Sequence, residues 1–263
     1  MRLTVVGCSG SMAGPQSPAS SYLVAADDAD GRTWTVLLDL GSGAFGPLQS
    51  HVEPSSLDAV AITHLHPDHY IDLCGLYVYL RYHPEHGQDA RGECRRMPVR
   101  GPAATDERVG VAFGLGAAER LCCFDLGTWD QPWQVGPLTI EPYAVDHPVE
   151  AYALRITGPS ESGDGDVTIT YSGDTDVCDN IVDAARDADL FLVEAAFQED
   201  RDEARGIHLT GRRAGEVATA SGARRIVLTH LQPWTAPDVI LDEARSTYAG
   251  PAELAHPGET YAV

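Results

Sequence analysis

A short segment rich in metal-ligand side chains constrains this chain more than any other feature. Residues 64–69 read His-Leu-His-Pro-Asp-His, and they follow an apolar run at residues 57–63 with the composition of a buried strand. Side chains alternate between the two faces of a strand, so His64 and His66 point the same way. The strand breaks at Pro67, which lets the aspartate and the last histidine turn back towards the same point. Imidazole nitrogens and carboxylate oxygens are ligands of Zn²⁺ and similar metals. The segment therefore predicts a metal site at a strand end.

Four other apolar runs carry a histidine or an aspartate at or just beyond their ends. A site built on loops above a rigid sheet collects its side chains in this way, one or two from each strand end. The runs and their polar residues are 33–40 with Asp39, 138–145 before His147, 167–171 before Asp174, and 225–229 before His230.

The order of these motifs resembles that of the metallo-β-lactamase superfamily over roughly residues 3–262. The resemblance implies an α/β fold, an αββα sandwich in which two sheets pack face to face with helices outside. We expect a single hydrolase domain over residues 1–263, because the resemblance spans the chain without a break.

The resemblance also implies which residues bind the metal ions. His64, His66 and His147 would hold one metal ion, Asp68, His69 and His230 a second, and Asp174 would bridge both, while Asp39 would accept hydrogen bonds that orient the histidines.

The composition agrees with a cytoplasmic enzyme. Hydrophobic residues make up 43% of the chain, enough for a sizeable core, and no apolar run approaches the ~20 residues that cross a bilayer. The apolar stretch before Cys8 is about four residues, well below the roughly 7–15 of an export signal. The six cysteines form no C-x-x-C pair, so a cysteine zinc site is not expected. We expect reduced thiols and a cytoplasmic location.

The formal net charge of −21 bears on the partners of the protein. Nucleic-acid binding depends on neutralising phosphates with basic side chains, so an acidic surface makes a nucleic-acid partner less favourable. The charge does not exclude a small anionic substrate, because two divalent cations would dominate the field at the site.

The periodicity of the chain predicts a coarse set of helices and loops. Apolar residues recur at helical spacing between Leu73 and Leu80. Helices are also predicted at 181–188 with Asn180 as its cap, at 210–221 ending at Gly222, and at 243–248. Loops are predicted at 83–96 and 158–166.

A second resemblance narrows the superfamily to one branch. Glu194 lies in the segment Leu-Val-Glu-Ala-Ala-Phe, and His208 lies in Gly-Ile-His-Leu-Thr. These segments resemble those of the ribonuclease Z-like phosphodiesterases, in which such a Glu and His form a relay beside the metals. Ala196 departs from the branch, which more usually has Thr there. The alternative for His208 is a histidine that caps the following helix and has no chemical role.

The chemistry implied by this branch is hydrolysis of a phosphodiester. Two metal ions about 3.5–4 Å apart lower the pKa of a bridging water and provide hydroxide at neutral pH. Asp68 can accept a proton from the water, and His208, held by Glu194, can donate one to the departing oxygen. Zn²⁺ is the expected metal, with Mn²⁺ or Fe²⁺ as alternatives.

The spacing of two motifs bears on the substrate. Ribonuclease Z usually grips tRNA with a long arm inserted between the third and fourth metal motifs. Only 26 residues separate His147 from Asp174, and nine of them form the loop 158–166. A chain without the arm resembles bacterial cyclic-nucleotide phosphodiesterases, so we expect a small-molecule phosphodiester, 3′,5′-cyclic AMP, as substrate. The alternatives are tRNA 3′ processing and a catalytically inactive metal-binding scaffold. The resemblance further implies a homodimer, and the lack of a long apolar run leads us to expect no membrane partner.

Overall fold

Two mixed β-sheets face each other and carry helices on their outer sides. The computed structural model describes residues 1–92, 96–116, 119–163 and 165–263. In these ranges each sheet has seven strands. The first sheet contains β1 (Arg2–Gly7), β2 (Ser21–Asp27), β3 (Thr33–Leu38), β4 (Ala59–Ala61), β5 (Met97–Gly101), β6 (Phe124–Thr128) and β14 (Thr260–Ala262). The second contains β7 (Trp133–Val135), β8 (Leu138–Ala144), β9 (Tyr152–Pro159), β10 (Asp166–Tyr171), β11 (Leu190–Glu194), β12 (Ile226–Thr229) and β13 (Ala252–Leu254).

The helices fall into two groups that cover the two sheets. The helices are α1 (Phe45–Leu48), α2 (Pro67–Tyr70), α3 (Leu73–Tyr82), α4 (Gln88–Arg91), α5 (Thr105–Phe113), α6 (Asp179–Ala184), α7 (Gly211–Ser221) and α8 (Pro237–Thr247). The first five follow strands of the first sheet, and the last three follow strands of the second. Among the described residues no helix is long and apolar enough to cross a membrane.

Three apolar layers hold this sandwich together, as the alternation of side chains along the strands requires. Val36 and Leu38 of β3 point into a central core that both sheets share, whereas Leu37 points outwards to a layer beneath α3. In β11, Leu192 joins the central core and Phe191 packs beneath α7. The predicted αββα sandwich is therefore confirmed.

The strand directions explain why polar side chains gather at one edge. The first sheet has the order β14-β1-β2-β3-β4-β5-β6, with β3 to β6 parallel; the second has the order β13-β12-β11-β10-β9-β8-β7, with β10 to β13 parallel. In open α/β sheets, ligands bind beyond the carboxyl ends of parallel strands. The runs that precede His64, Asp174 and His230 are such strands.

Most predicted elements are present, with three corrections. The helix predicted at 181–188 is α6, which begins at Asp179 after Cys178; the Asn180 side chain donates instead to the carbonyl oxygen of Ala144, 2.7 Å away, and caps nothing. The last helix begins at Pro237, six residues earlier than predicted, because proline fits the first turn. A short helix, α4, lies within the loop predicted at 83–96, of which residues 93–95 fall outside the described residues.

Candidate metal centre

The His-Leu-His-Pro-Asp-His segment crosses from the end of β4 into the first turn of α2. His66 is extended, with φ −84° and ψ 143°, and Pro67 occupies the first position of the helix, for which its fixed φ is suited. This change of backbone turns Asp68 and His69 back towards the strand end. His64 and His69 are fully buried, and Asp68 is nearly so.

Three imidazoles converge on one point at this edge. His66 Nδ1 lies 3.1 Å from His64 Nε2 and 3.0 Å from His147 Nε2. Nitrogens that coordinate one tetrahedral zinc ion at about 2.0–2.1 Å lie about 3.3 Å apart. The three nitrogens are thus spaced as a single metal ion requires, and they are the ones predicted for the first metal.

A second group lies beside the first, and Asp174 lies between the two. Asp174 Oδ1 is 3.2 Å from His69 Nε2, while its Oδ2 is 3.2 Å from His230 Nε2 and 3.6 Å from His64 Nε2. The Oδ2 atom of Asp68 is 3.5 Å from His69 Nε2 and 3.7 Å from His230 Nε2. The structure brings together all seven residues predicted as metal ligands, and Asp174 is the one shared by both groups.

Buried atoms without partners indicate what this site holds. Three buried side-chain atoms among the described residues have no hydrogen bond of good geometry; one is Glu243 Oε2, and the other two, His69 Nε2 and Asp174 Oδ1, face each other here at 3.2 Å. Buried polar atoms in folded proteins almost always have one, so these two atoms call for an ion. Within each group the ligand atoms lie within 4.8 Å of one another. The donor set and its geometry fit divalent metal ions.

Metal binding requires neutral imidazoles and ionised carboxylates, and both carboxylates and four of the five histidines of the site meet this requirement without a metal ion. Burial opposes ionisation of Asp68, yet its contact with His69 lowers the pKa to about 2. Burial likewise opposes ionisation of Asp174, but His230 and His69 hold its pKa well below its usual value. His69 is the exception: burial lowers its pKa, but Asp174 and Asp39 outweigh burial and raise the pKa well above its usual value, so a metal ion would have to displace the proton of His69. Burial lowers the pKa of the other four histidines, which are His64, His66, His147 and His230.

Asp39 orients His69 from behind. The Asp39 carboxylate lies 2.8 Å from His69 Nδ1 and accepts hydrogen bonds from the backbone N–H and hydroxyl of Thr63, both at 2.8 Å, and from the Tyr171 hydroxyl at 3.0 Å. Its backbone is left-handed, with φ +55°, a conformation that Asp tolerates better than most residues. Sequence reasoning identified Asp39 but missed Thr63 and Tyr171, each of which ends or follows an apolar run.

His230 is held by the N-terminal segment of the chain. Its backbone N–H donates to the carbonyl oxygen of Cys8, 3.0 Å away, and its Nδ1 lies 2.9 Å from the Ser20 hydroxyl. Its φ of +60° is unusual for a residue other than glycine and is typical of a functional site. Neither Cys8 nor Ser20 was predicted to contact the site.

A buried Glu–His pair adjoins the shared aspartate. His208 Nδ1 is 2.9 Å from Glu194 Oε1 and 3.9 Å from Asp174 Oδ2. The Glu194 carboxylate also accepts hydrogen bonds from the backbone N–H groups of Thr175 and Ala196, each at 3.0 Å. Burial lowers the pKa of His208, but Glu194 outweighs this effect and raises the pKa to about 9.

The alternative of a helix-cap histidine is wrong for His208. The residue that caps α7 is Thr210, whose side chain accepts a hydrogen bond from the backbone N–H of Arg213. The imidazole of His208 instead contacts Glu194 and the ring of Phe197, whose centroid is 4.9 Å away.

Comparison with known proteins agrees with this geometry. A family model described as the beta-lactamase superfamily domain matches residues 34–231. The chain belongs to this superfamily. A Mycobacterium tuberculosis protein, described as uncharacterized, is 40% identical over 268 residues that cover 100% of this chain and 92% of that protein. The "Probable metallo-hydrolase YhfI" of Bacillus subtilis is 30% identical over 258 residues that cover 98% of each.

Solved structures and further relatives extend this comparison. The crystal structure of YhfI matches with a TM-score of 0.83 at 28% identity and covers 99% of this chain and 98% of its own. A ribonuclease Z of Myxococcus xanthus is 28% identical over 276 residues, covering 86% of this chain and 87% of its own. A diphosphatase of the PhnP family shares the fold, with a TM-score of 0.72 at 20% identity over 100% of this chain and 97% of its own. The protein is a metal-dependent hydrolase of the beta-lactamase superfamily.

Proposed function

We propose that this hydrolase is a phosphodiesterase that works with two divalent metal ions and hydrolyses 3′,5′-cyclic AMP. The observation that carries the proposal is the buried Glu194–His208 pair beside Asp174. A hydrolase acting on a thioester, whose thiolate leaves without a proton, has no need of a separate proton donor at this position, whereas an alkoxide leaving from phosphorus does.

The contacts of His208 support a role as that donor. Its Nδ1 is engaged by Glu194, and its Nε2 has no protein partner among the described residues. A ring held in this way presents Nε2–H to the departing oxygen. The Glu194 carboxylate, fully buried and held by two backbone N–H groups, fixes the orientation of the ring.

Asp68 is proposed to serve both as a ligand and as the acceptor of the proton lost by the attacking water. Its pKa of about 2 keeps it ionised at neutral pH, as its role as a metal ligand requires. When bound, the metal ions would lower the pKa of water and neutralise charge that develops on phosphorus. Zn²⁺ is the proposed metal, since imidazole and carboxylate suit it, with Mn²⁺ and Fe²⁺ as alternatives.

A small substrate is favoured by the compactness of the segment between the third and fourth metal motifs. Between His147 and Asp174 the described residues form β9, a turn and β10, and no inserted arm. The net charge of −21 repels a long polyanion over a distance of about 10 Å at 0.1 M salt. A cyclic mononucleotide carries a single negative charge, so this repulsion costs it little.

The test compares three substrates on the metal-loaded protein: cyclic AMP, bis(p-nitrophenyl) phosphate and a tRNA precursor. We expect conversion of cyclic AMP to 5′-AMP, with kcat/KM well above that for the tRNA precursor. Added salt should raise any activity on tRNA more than activity on cyclic AMP, because it screens the repulsion. Efficient tRNA trimming at low salt without turnover of cyclic AMP would overturn the proposal.

The second candidate function is tRNA 3′ processing. It is favoured by the relatives named ribonuclease Z, one of them 28% identical over 276 residues. A third outcome, full metal content without turnover of any of the three substrates, would mean an inactive metal-binding scaffold.

We also propose that the protein is a homodimer. Light scattering of the metal-loaded protein would measure its mass in solution and test this proposal.

A further inference from the structure

A buried carboxylate just beyond Asp174 gathers donors from three parts of the chain. Asp176 is 2% exposed and receives hydrogen bonds from the backbone N–H groups of Val177, at 2.7 Å, and Gly206, at 2.8 Å. It also pairs with Arg205 Nε at 2.6 Å and with Arg213 Nη1 at 2.7 Å. Its own backbone N–H donates to the carbonyl oxygen of Asp146, 2.9 Å away.

These contacts join the loop after β10 to the segment that leads into α7. Arg213 lies on α7 and is itself only 7% exposed, so the pair is a buried one on both sides. Removing one partner of such a pair leaves an uncompensated charge. The loop, the segment at 205–206 and the helix are therefore held in one arrangement.

The two residues that follow Gly206 contact the proposed site directly. The carbonyl oxygen of Ile207 lies 2.8 Å from His147 Nδ1, which leaves His147 Nε2 facing His66. His208 is the next residue, and it meets Glu194. Gly206, Ile207 and His208 are consecutive residues. The hydrogen bond from Gly206 to Asp176 therefore holds the backbone directly before the residues that contact His147 and Glu194.

We propose that Asp176 is a positioning residue for His147 and His208. By holding Gly206 and α7 together, it places the Ile207 carbonyl against one histidine and sets the other against Glu194. Asp176 belongs to none of the groups of candidate metal ligands among the described residues. The proposal has two halves. The His208 half, that Asp176 positions the proton donor, rests on the proposed function. The His147 half, that Asp176 positions a metal ligand, concerns metal binding and is measured separately.

The main test uses Asp176→Asn, which keeps the size of the side chain and removes its charge. A matched control is Asp189→Asn, because Asp189 also binds a backbone N–H, that of Thr168, at 2.8 Å, and an arginine, Arg224, at 2.6 Å. Asp189 immediately precedes β11, at the end opposite Glu194. With saturating metal, Asp176→Asn should lower kcat on cyclic AMP by about 10–100-fold with little change in KM. It should lower turnover of bis(p-nitrophenyl) phosphate, whose leaving group needs no proton, much less, while Asp189→Asn leaves both rates near wild type.

A double variant separates positioning from general damage to the fold. If Asp176 acts through His208, adding Asp176→Asn to His208→Ala should lower kcat on cyclic AMP no further than His208→Ala alone, because the two residues act as a unit. The His208 half would be overturned if the loss of kcat in the double variant equalled the product of the losses in the two single variants. It would also be overturned if Asp176→Asn lowered turnover of both substrates equally. If Asp176→Asn does not fold, Asp176→Glu keeps the charge, moves the carboxylate by one methylene and enters the same comparison.

The His147 half is tested without any substrate. A competition between the protein and a chromophoric chelator for Zn²⁺ should show about 10–100-fold weaker binding of one metal ion in Asp176→Asn and unchanged binding in Asp189→Asn. Equal zinc affinity in both variants would overturn this half. A wild-type protein that binds zinc but does not turn over cyclic AMP would contradict the proposed function and leave the zinc comparison intact.

Discussion

Replacing Tyr171 with phenylalanine tests whether the residues behind the metal ligands set metal affinity. The Tyr171 hydroxyl donates to Asp39 Oδ2 at 3.0 Å, and Asp39 in turn holds His69. The ring is 1% exposed, so the substitution removes the hydroxyl from the central core and keeps the packing of the ring. A hydrogen bond to a charged acceptor contributes about 1.5–3 kcal/mol. We expect the metal-free variant to lose about that much free energy of unfolding and zinc affinity to fall by about 10–100-fold.

The control is Tyr248→Phe, which also removes one buried hydroxyl. Tyr248 donates to the carbonyl oxygen of Ala223, 2.7 Å away, near the start of β12 and at the opposite end of that strand from His230. A neutral hydrogen bond contributes about 0.5–1.5 kcal/mol, so stability should fall modestly and zinc affinity should stay at the wild-type value. Urea unfolding of metal-free protein and competition with a chromophoric chelator give the two quantities. Unchanged zinc affinity in Tyr171→Phe would refute the role assigned to the Asp39 network.

Three further substitutions probe the proposed site. Asp174→Ala should remove activity, and elemental analysis should show the loss of at least one of two metal ions, because this carboxylate lies between the two groups of ligands. Full activity in this variant would rule out the two-metal mechanism. His208→Ala should lower kcat on cyclic AMP by roughly 10²–10⁴-fold at unchanged metal content, with a much smaller loss on bis(p-nitrophenyl) phosphate; equal losses on the two substrates would argue against proton donation. Gly10→Ala should weaken zinc binding, because a Cβ atom there would lie 2.0 Å from the carbonyl oxygen of His230, whereas Gly46→Ala, with no atom within 4 Å, should not.

The candidate metal centre could be predicted from the sequence because its proposed ligands are carried by short motifs at strand ends. Each motif places a histidine or an aspartate, which is costly to bury without a functional role, at the end of a buried strand. A local sequence pattern is therefore enough to identify each motif. The pair of His208 and Glu194 was identified from the resemblance of their two segments to those of the ribonuclease Z-like phosphodiesterases. The fold was predicted from the resemblance of the motif order to that of the metallo-β-lactamase superfamily.

The remaining features depend on contacts between distant segments, which no local pattern encodes. Tyr171 reads as an ordinary strand residue, and only the packing of the two sheets places its hydroxyl on Asp39. Asn180 has a side chain suited to a helix cap, yet its amide N–H donates to the carbonyl oxygen of Ala144 at the end of β8. Asp176 resembles any acidic loop residue until Arg213 and Gly206 are brought to it from a segment about thirty residues further along the chain.

The division of the ligands between the two sheets has a consequence for how the chain folds. One cluster of ligands follows β4 in the first sheet, and the others follow β8, β10 and β12 in the second. Neither sheet alone supplies a full set for either metal ion, so tight binding has to wait until the two halves have docked. A ligand that binds only the native state stabilises it by mass action, and contacts absent from the transition state slow unfolding without speeding folding. Metal ions bound as proposed would therefore join the two sheets only after docking, and we expect chelation to raise the unfolding rate while leaving the folding rate unchanged.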